Sequence, residues 1–429
     1  MKKLFKHLVV SILTLESRIL LRRTKPFIVA VTGSVGKTST KDAIYAAISK
    51  HKQTRKSLKS YNSEIGIPLS VLGLNNAWDN PFLWLKNIVE GMVIALFSRD
   101  YPDVLILEAG VDRPGDMKSL AKWLRPDVVV MTRLPNIPVH VEYFASPEAV
   151  IAEKMELVKA LRPDGAFIYN HDDTNLQKQL ANVRQRQVGF SRIVPTDFTA
   201  RADQVVYDNN QPVGMEFAIE HGEDKESFLV KGVLGVPVTY AVAAASAVAA
   251  ELGISLKTVA VAMDDLELPS GRMRLLPGIK NTTIIDDTYN SSPIALELAL
   301  IALKNLEVSG RKIAVIGDML ELGQYSSEEH EKVGVLVPEC CEVLVTVGVR
   351  ARKIAEKALE NGMNEQFIFQ YDEAERAGKE LQNYLLPKDV VLIKASQGIR
   401  AETIVEEIMA EPERASELLV RQSRAWEKR

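Results

Sequence analysis

Residues 28–41 constrain the fold more than any other stretch. They read I-V-A-V-T-G-S-V-G-K-T-S-T-K. The apolar run 28–31 has the length and flanks of a short buried strand. A glycine turn follows, Gly33-Ser34-Val35-Gly36, then Lys37, Thr38, Ser39 and Thr40. Residues 41–50 continue with helical apolar spacing at Ile44, Ala47 and Ile48. Strand, glycine turn and helix N-terminus in that order cradle phosphate. Backbone N–H groups and the positive helix end face the anion, and a lysine adds a point charge. The spacing departs from the standard P-loop, which has a glycine where this chain has Val31. The pattern here is T-G-x-x-G-K-T.

A strand of this kind needs parallel neighbours, and the chain supplies them. Apolar runs recur at 104–107, ending in Glu108, at 128–132 and at 166–169, ending in Asn170. Helical stretches such as 147–161 lie between them. The alternation predicts a mostly parallel sheet covered on both faces, with ligands bound beyond the carboxyl ends of its strands. Lys37, Glu108, Thr132 and Asn170 fall at those ends. Residues 186–235 instead interleave apolar and polar residues around Asp208-Asn209-Asn210 and His221-Gly222-Glu223-Asp224, which predicts antiparallel ribbons with turns. An alanine-rich helix over 240–252 follows. Strand–helix alternation restarts after Leu268-Pro269-Ser270-Gly271, with strands at 283–285, 313–316, 343–347 and 390–393. The expected organisation is an N-terminal amphipathic helix (1–25), a central nucleotide-binding domain (26–271) and a C-terminal Rossmann-like α/β domain (272–429). The last twenty residues are charged, and fraying is expected there.

Composition excludes some classes. A length of 429 suits two or three domains, and a net charge of −3 supplies no basic field for nucleic acid. The two cysteines, Cys340 and Cys341, are adjacent; they offer neither a loop-closing disulfide nor a metal spacing, as in a reduced, cytoplasmic chain. Lys2, Lys3 and Lys6 precede an apolar stretch, 8–15, that Glu16, Arg18, Arg22 and Arg23 interrupt and close. This is too short to span a membrane and reads as a basic amphipathic helix. Packing on the protein and contact with an anionic membrane surface both remain open for it. Residues 82–97 are also apolar, but Lys86 and Glu90 interrupt them, so a buried or partly buried helix is expected.

Phosphate chemistry calls for a divalent ion held by hard oxygens. Thr38 is the expected hydroxyl ligand and Glu108 the carboxylate. By residue chemistry alone neither His140 nor Lys154 stands out, since lone histidines and helical lysines are usually solvated.

Several motifs together resemble the Mur ligase family, ATP-dependent enzymes that form amide bonds in cell-wall precursor synthesis, and within it the MurF type. T-G-S-V-G-K-T-S-T at 32–40 is similar to the family's short phosphate loop. Y-N-S-E-I-G-I-P-L-S at 61–70 and L-E-A-G-V-D-R-P-G-D at 107–116 resemble its Asn-rich and glutamate-glycine segments. H-V-E-Y-F-A-S-P-E-A-V-I-A-E-K-M-E-L at 140–157 resembles the segment holding a metal histidine and a carbamylated lysine. D-D-T-Y-N-S-S-P at 286–293, G-D-M-L-E-L-G at 317–323 and K-A-S-Q-G-I-R at 394–400 resemble C-terminal motifs.

The resemblance implies ATP and Mg²⁺ as cofactors, and a muramoyl-peptide carboxylate and D-Ala-D-Ala as substrates. It implies that Gly33, Ser34, Val35, Gly36, Lys37, Thr38 and Ser39 bind phosphate, with Arg272, Asp287, Tyr289 and Asn290 approaching ATP. Thr38 and Glu108 would hold one Mg²⁺; His140 and carbamylated Lys154 would hold a second or align the phosphoryl group. Lys37, Lys154 and His140 would be catalytic. Asn62, Asp318, Met319 and Lys394 would meet substrate.

Two departures accompany the resemblance. The segment before residue 28 is too short for the family's N-terminal UDP-sugar domain, so the expected nucleotide-sugar contact is missing, reduced to a helix, or supplied by another protein. The His and Asn usual before the alanine-rich helix are also absent, since V-P-V-T-Y-A-V-A-A-A stands there. Readings that stay open are a related ligase for a lipid-linked or non-UDP acceptor, a folylpolyglutamate-type ligase, a nucleotide-binding scaffold without ligation, and a simple P-loop kinase or NTPase.

Overall fold

The structure is a computed structural model that describes residues 3–58, 61–78, 80–267, 269–422 and Trp426. Two sheets organise it. The first is built from β1 (Phe27–Thr32), β2 (Thr54–Lys56), β3 (Val104–Glu108), β4 (Val128–Met131), β5 (Ala166–Asn170), β6 (Arg186–Ser191), β7 (Phe198–Asp208), β8 (Gln211–His221) and β9 (Asp224–Lys231). Their order is β2-β3-β1-β4-β5-β6-β7-β8-β9. Pairing is parallel from β2 through β7 and antiparallel across β7, β8 and β9. The expected parallel sheet and antiparallel ribbon are therefore one continuous sheet. β1, β3, β4 and β5 are apolar up to their carboxyl ends because both faces are covered.

The second sheet contains β10 (Arg274–Gly278), β11 (Thr282–Asp287), β12 (Lys312–Gly317), β13 (Val343–Val347), β14 (Ile368–Tyr371) and β15 (Val390–Lys394). It is ordered β10-β11-β15-β12-β13-β14 and is parallel except for the β10–β11 hairpin. The segment expected to link the two halves is only partly visible, since Leu268 lies outside the described residues. Gly271, at its end, has φ +68° and donates its N–H to Asp286 at 3.1 Å.

The alanine-rich helix, Val236–Glu251, explains how the first sheet is closed on one face. Its alanines and those of the helix Lys37–Ile48 share one core and are almost all fully buried. Small side chains allow that close approach, and the same apolar core continues to Leu296 and Leu300 of the helix Pro293–Lys304. The other face is covered by a second cluster that includes the first helix, Lys3–Thr24, through Val9, Leu13 and Leu20.

The first helix thus packs on the protein along one face. Beside it runs the helix Pro81–Phe97, whose N-cap Asn80 accepts bonds from the N–H groups of Phe82 and Leu83. It is partly buried, as expected, through Trp84, Asn87, Gly91 and Ala95, with Ile88 and Ile94 half-buried beside them. No described helix is long and apolar enough to cross a membrane.

Fraying is expected of the last twenty residues; 423–425 and 427–429 lie outside the described residues, and the segment 415–419 is not frayed. Ala415, Leu418 and Leu419 are buried in the core of the second sheet, so an amphipathic turn anchors it.

Candidate functional site

The site grows from the register of the parallel strands. Val31 is paired with Glu108, and Thr32 with Met131, so the carboxyl ends of β3, β1 and β4 lie side by side. The chain leaves β1 through Gly33 at φ +135°, where a side chain would collide with the hydroxyl of Thr132. Gly36 is left-handed, φ +83°, and starts the helix Lys37–Ile48. A glycine is required at both positions for these reasons. The loop therefore delivers the N-terminus of a twelve-residue helix to the sheet edge beside Glu108.

Thr38 and Glu108 meet there: the threonine hydroxyl donates to Glu108 Oε2 at 3.0 Å, and both residues are buried. Glu108 is held by the Ser57 hydroxyl, which accepts its backbone N–H, while the Lys41 ammonium lies 3.9 Å from its carboxylate. Burial pushes the Lys37 ammonium below its ordinary pKa; Glu108 opposes that shift and Arg272 adds to it. Two hard oxygens at a phosphate loop fit a small divalent cation. Among the described residues no cluster of three His, Cys, Asp or Glu side chains could hold a metal alone. An ion at Thr38 and Glu108 must complete its shell from phosphate and water, which is the habit of Mg²⁺.

The second sheet supplies the opposite wall. Arg272 reaches across to Thr38, Nη2 to Oγ1 3.4 Å, and its guanidinium lies 4.0 Å from the centre of the Tyr289 ring. Asp287 ends β11 and pairs with Lys394, which ends the neighbouring β15, at 2.7 Å. Both are buried. Burial raises the carboxyl and lowers the ammonium, and each charge offsets the other's shift. Lys394 also donates to the Asn290 carbonyl at 2.8 Å. Between the walls lies a cleft of about 950 Å³. Ser34, Val35, Gly36, Lys37, Thr38, Ser39, Asn62, Glu108 and His140 line one side; Arg272, Asp287, Tyr289, Asn290 and Lys394 line the other.

Lys154 stands just behind the loop. Its helix, Pro147–Lys159, is capped by Ser146, and its ammonium donates to the Gly33 carbonyl at 3.2 Å. Burial, aided by the charge of Lys37, lowers its pKa to about 7. It is thus a near-neutral amine inside the protein, the state required for reaction with carbon dioxide. His140 is left-handed, φ 71°, and stands 2.8 Å from Glu321 and 3.6 Å from Asp112. That contact joins the first half of the chain to the second, and Glu321 is held below its ordinary pKa by His140.

Asp318 and Met319 are not among the cleft's lining residues. Asp318 instead accepts the Ala351 N–H at 2.7 Å, and Met319 is fully buried, its N–H donating to His330 Nε2 at 3.0 Å. Three lining or bridging residues escaped sequence reasoning. Asp112 and Glu321 lie inside motifs already noted, so their carboxylates were a usable signal. Arg421 had none: it donates to the carbonyls of Tyr289 at 2.9 Å and Thr288 at 2.7 Å, and pairs with buried Glu402.

Known proteins resemble this chain in sequence and in fold. The Mur ligase middle domain matches residues 31–84 and 85–249, and the Mur ligase, glutamate ligase domain matches 271–397. A UDP-N-acetylmuramoyl-tripeptide–D-alanyl-D-alanine ligase of Bacillus subtilis is 28% identical over 387 residues, covering 90% of this chain and 76% of that protein. The crystal structure of a MurF ligase from Thermotoga maritima in complex with ADP superposes with a TM-score of 0.76 at 25% identity, over 94% of this chain and 84% of the other. A folylpolyglutamate synthase of Mycobacterium tuberculosis complexed with ADP and AMPPCP, 13% identical with a TM-score of 0.64 over 90% and 93% of the two chains, shares the fold alone. With the two domain families matched in order from the phosphate loop to the last strands of the second sheet, the chain belongs to the Mur ligase family.

Proposed function

We propose that this protein is an ATP-dependent amide ligase of the MurF type, joining a muramoyl-peptide carboxylate to the amine of D-Ala-D-Ala. The reading is carried by one observation: a single cleft places Lys37, Thr38 and Glu108 opposite Arg272, Asp287 and Lys394. The substrate carboxylate attacks the γ-phosphorus of ATP, releasing ADP and leaving an acyl phosphate. The amine then attacks the acyl carbon, and phosphate departs with the electrons of the broken C–O bond.

Neither step requires a protein nucleophile, so positioning and charge neutralisation supply the rate. Lys37 and the helix N-terminus bind the β- and γ-phosphates. Thr38 and Glu108 would hold Mg²⁺, which neutralises phosphate charge when bound. Arg272, already 3.4 Å from Thr38, adds a second cation to the transferring group. Carbamylated, Lys154 would become an anionic oxygen ligand that, with His140, orients the acceptor. Asn62 faces the peptide substrate, and Lys394 positions the loop carrying Asp287, Tyr289 and Asn290. Asp318 and Met319 would act by shaping the amine's side of the second domain. The proposed division at residue 271 lets the two walls close on ATP, and the reaction belongs in the cytoplasm.

Release of ADP and phosphate tests the proposal. Release that requires both UDP-muramoyl tripeptide and D-Ala-D-Ala supports it; release without either makes the protein an NTPase. Free and lipid-linked muramoyl peptides, run beside the UDP-linked one, identify the acceptor.

A further inference from the structure

The helix Pro81–Phe97 presents to solvent what a soluble surface rarely carries. Phe82 is 81% exposed and Phe97 71%; Leu85, Val89, Met92, Val93 and Leu96 are each about half exposed. At about 100° per residue, Phe82, Leu85, Val89, Met92, Val93 and Leu96 fill one uninterrupted arc of about 100°. Buried Trp84, Asn87, Gly91 and Ala95 lie on the opposite side. Scattered exposed leucines are ordinary, but a contiguous apolar face on one helix marks an interaction site.

Charge selects what covers it. The first helix runs parallel to this one: its Arg23 donates to the carbonyls of Ile94 at 2.9 Å and Leu96 at 3.0 Å. The C-terminal ends of both helices therefore lie together, with Arg22, Arg23 and Arg99 exposed at those ends and Arg18 exposed a turn earlier on the first helix. Lys86 and Glu90 border the arc along its length. The only acidic residue of the first helix, Glu16, is buried. An apolar strip with exposed arginines gathered at one end complements acyl chains beneath anionic headgroups. The ends of the strip carry aromatic rings, Trp78 and Phe82 at one and Phe97 at the other, as interfacial elements do. With seventeen residues, about 26 Å of helix, it suits lying in the interface plane rather than crossing the bilayer.

We propose that this helix, flanked by the basic first helix, docks the protein on an anionic lipid bilayer. The inference stands on this face alone and does not depend on the ligase reading.

Flotation of the full chain with vesicles tests it, comparing equal parts phosphatidylglycerol and phosphatidylcholine against phosphatidylcholine alone. The expected result is at least tenfold stronger partitioning to the anionic vesicles, weakened by salt. Leu85→Gln/Met92→Gln, at exposed positions, should lose at least tenfold of that binding while retaining the wild-type melting temperature. Arg18→Ser/Arg22→Ser should abolish the preference for anionic lipid, which keeps the test valid if the first variant fails to fold. Absence of wild-type flotation at low ionic strength overturns the proposal, as does flotation unchanged by both variants. Lipid-free self-association that Leu85→Gln/Met92→Gln disrupts also overturns it, assigning the face to a second copy.

Discussion

Glu16 offers a direct test of the packing that holds the first helix. It is buried between the first helix and Gly91 of its neighbour, and neither carboxylate oxygen has a hydrogen-bond partner. Burial raises its pKa from 4.5 to about 7. Ionising it in place costs roughly 3 kcal/mol more than ionising it in the unfolded chain. The sign follows from the direction. Because the folded value is the higher one, the favourable contribution is complete below pH 4.5 and is lost as pH rises through 7. Glu16→Gln mimics the protonated form at every pH. The variant should match wild type near pH 4 and exceed it by about 3 kcal/mol above pH 8. Hydrogen exchange of the first-helix amides, corrected for intrinsic rates, reads this locally: protection should rise roughly a hundredfold at pH 8.5 and hardly at all at pH 4. An equal gain at both pH values, or none at pH 8.5, would refute the reasoning.

Lys37→Ala removes the phosphate-facing charge and should lower turnover by about a thousandfold, measured as ADP release; near-wild-type turnover would refute the site. Lys154→Ala should be inactive and partly restored by added acetate, which replaces a carbamate oxygen; full activity without acetate makes Lys154 an ordinary helix lysine. In Gly33→Ala the new methyl meets the Thr132 hydroxyl at a positive φ, so ADP affinity by calorimetry should fall at least tenfold. Arg421→Ala frees the Thr288 and Tyr289 carbonyls and leaves buried Glu402 with Arg400 as its remaining cation, and should weaken ADP binding about tenfold while lowering the melting temperature.

Much of the site was readable because its residues end apolar strands. Glu108 ends an apolar run and Lys37 follows the glycine turn after one, whereas Asp287 and Lys394 come from the motif resemblance; in the structure both end neighbouring strands of the second sheet. Strands without that signature were invisible: β2 is Thr-Arg-Lys, and β14 has only partly buried residues. Periodicity also failed on the helix Pro81–Phe97. It is apolar nearly all round, so nothing in its sequence says which side the protein covers. Asp318 and Met319 share a motif with Glu321, which meets His140, yet Asp318 accepts the N–H of Ala351, 33 positions on, and buried Met319 donates its N–H to His330. Arg421 meets its carbonyl partners across more than 130 positions, a distance no local pattern encodes.

That last contact bears on when the protein becomes competent during synthesis. The phosphate loop can fold once the first sheet has emerged from the ribosome, since its register needs only β1, β3 and β4. The turn carrying Thr288 and Tyr289 must wait for residue 421, more than 130 positions later, to bind its carbonyls. A nascent chain would thus acquire a nucleotide cradle well before it could fix the opposite wall.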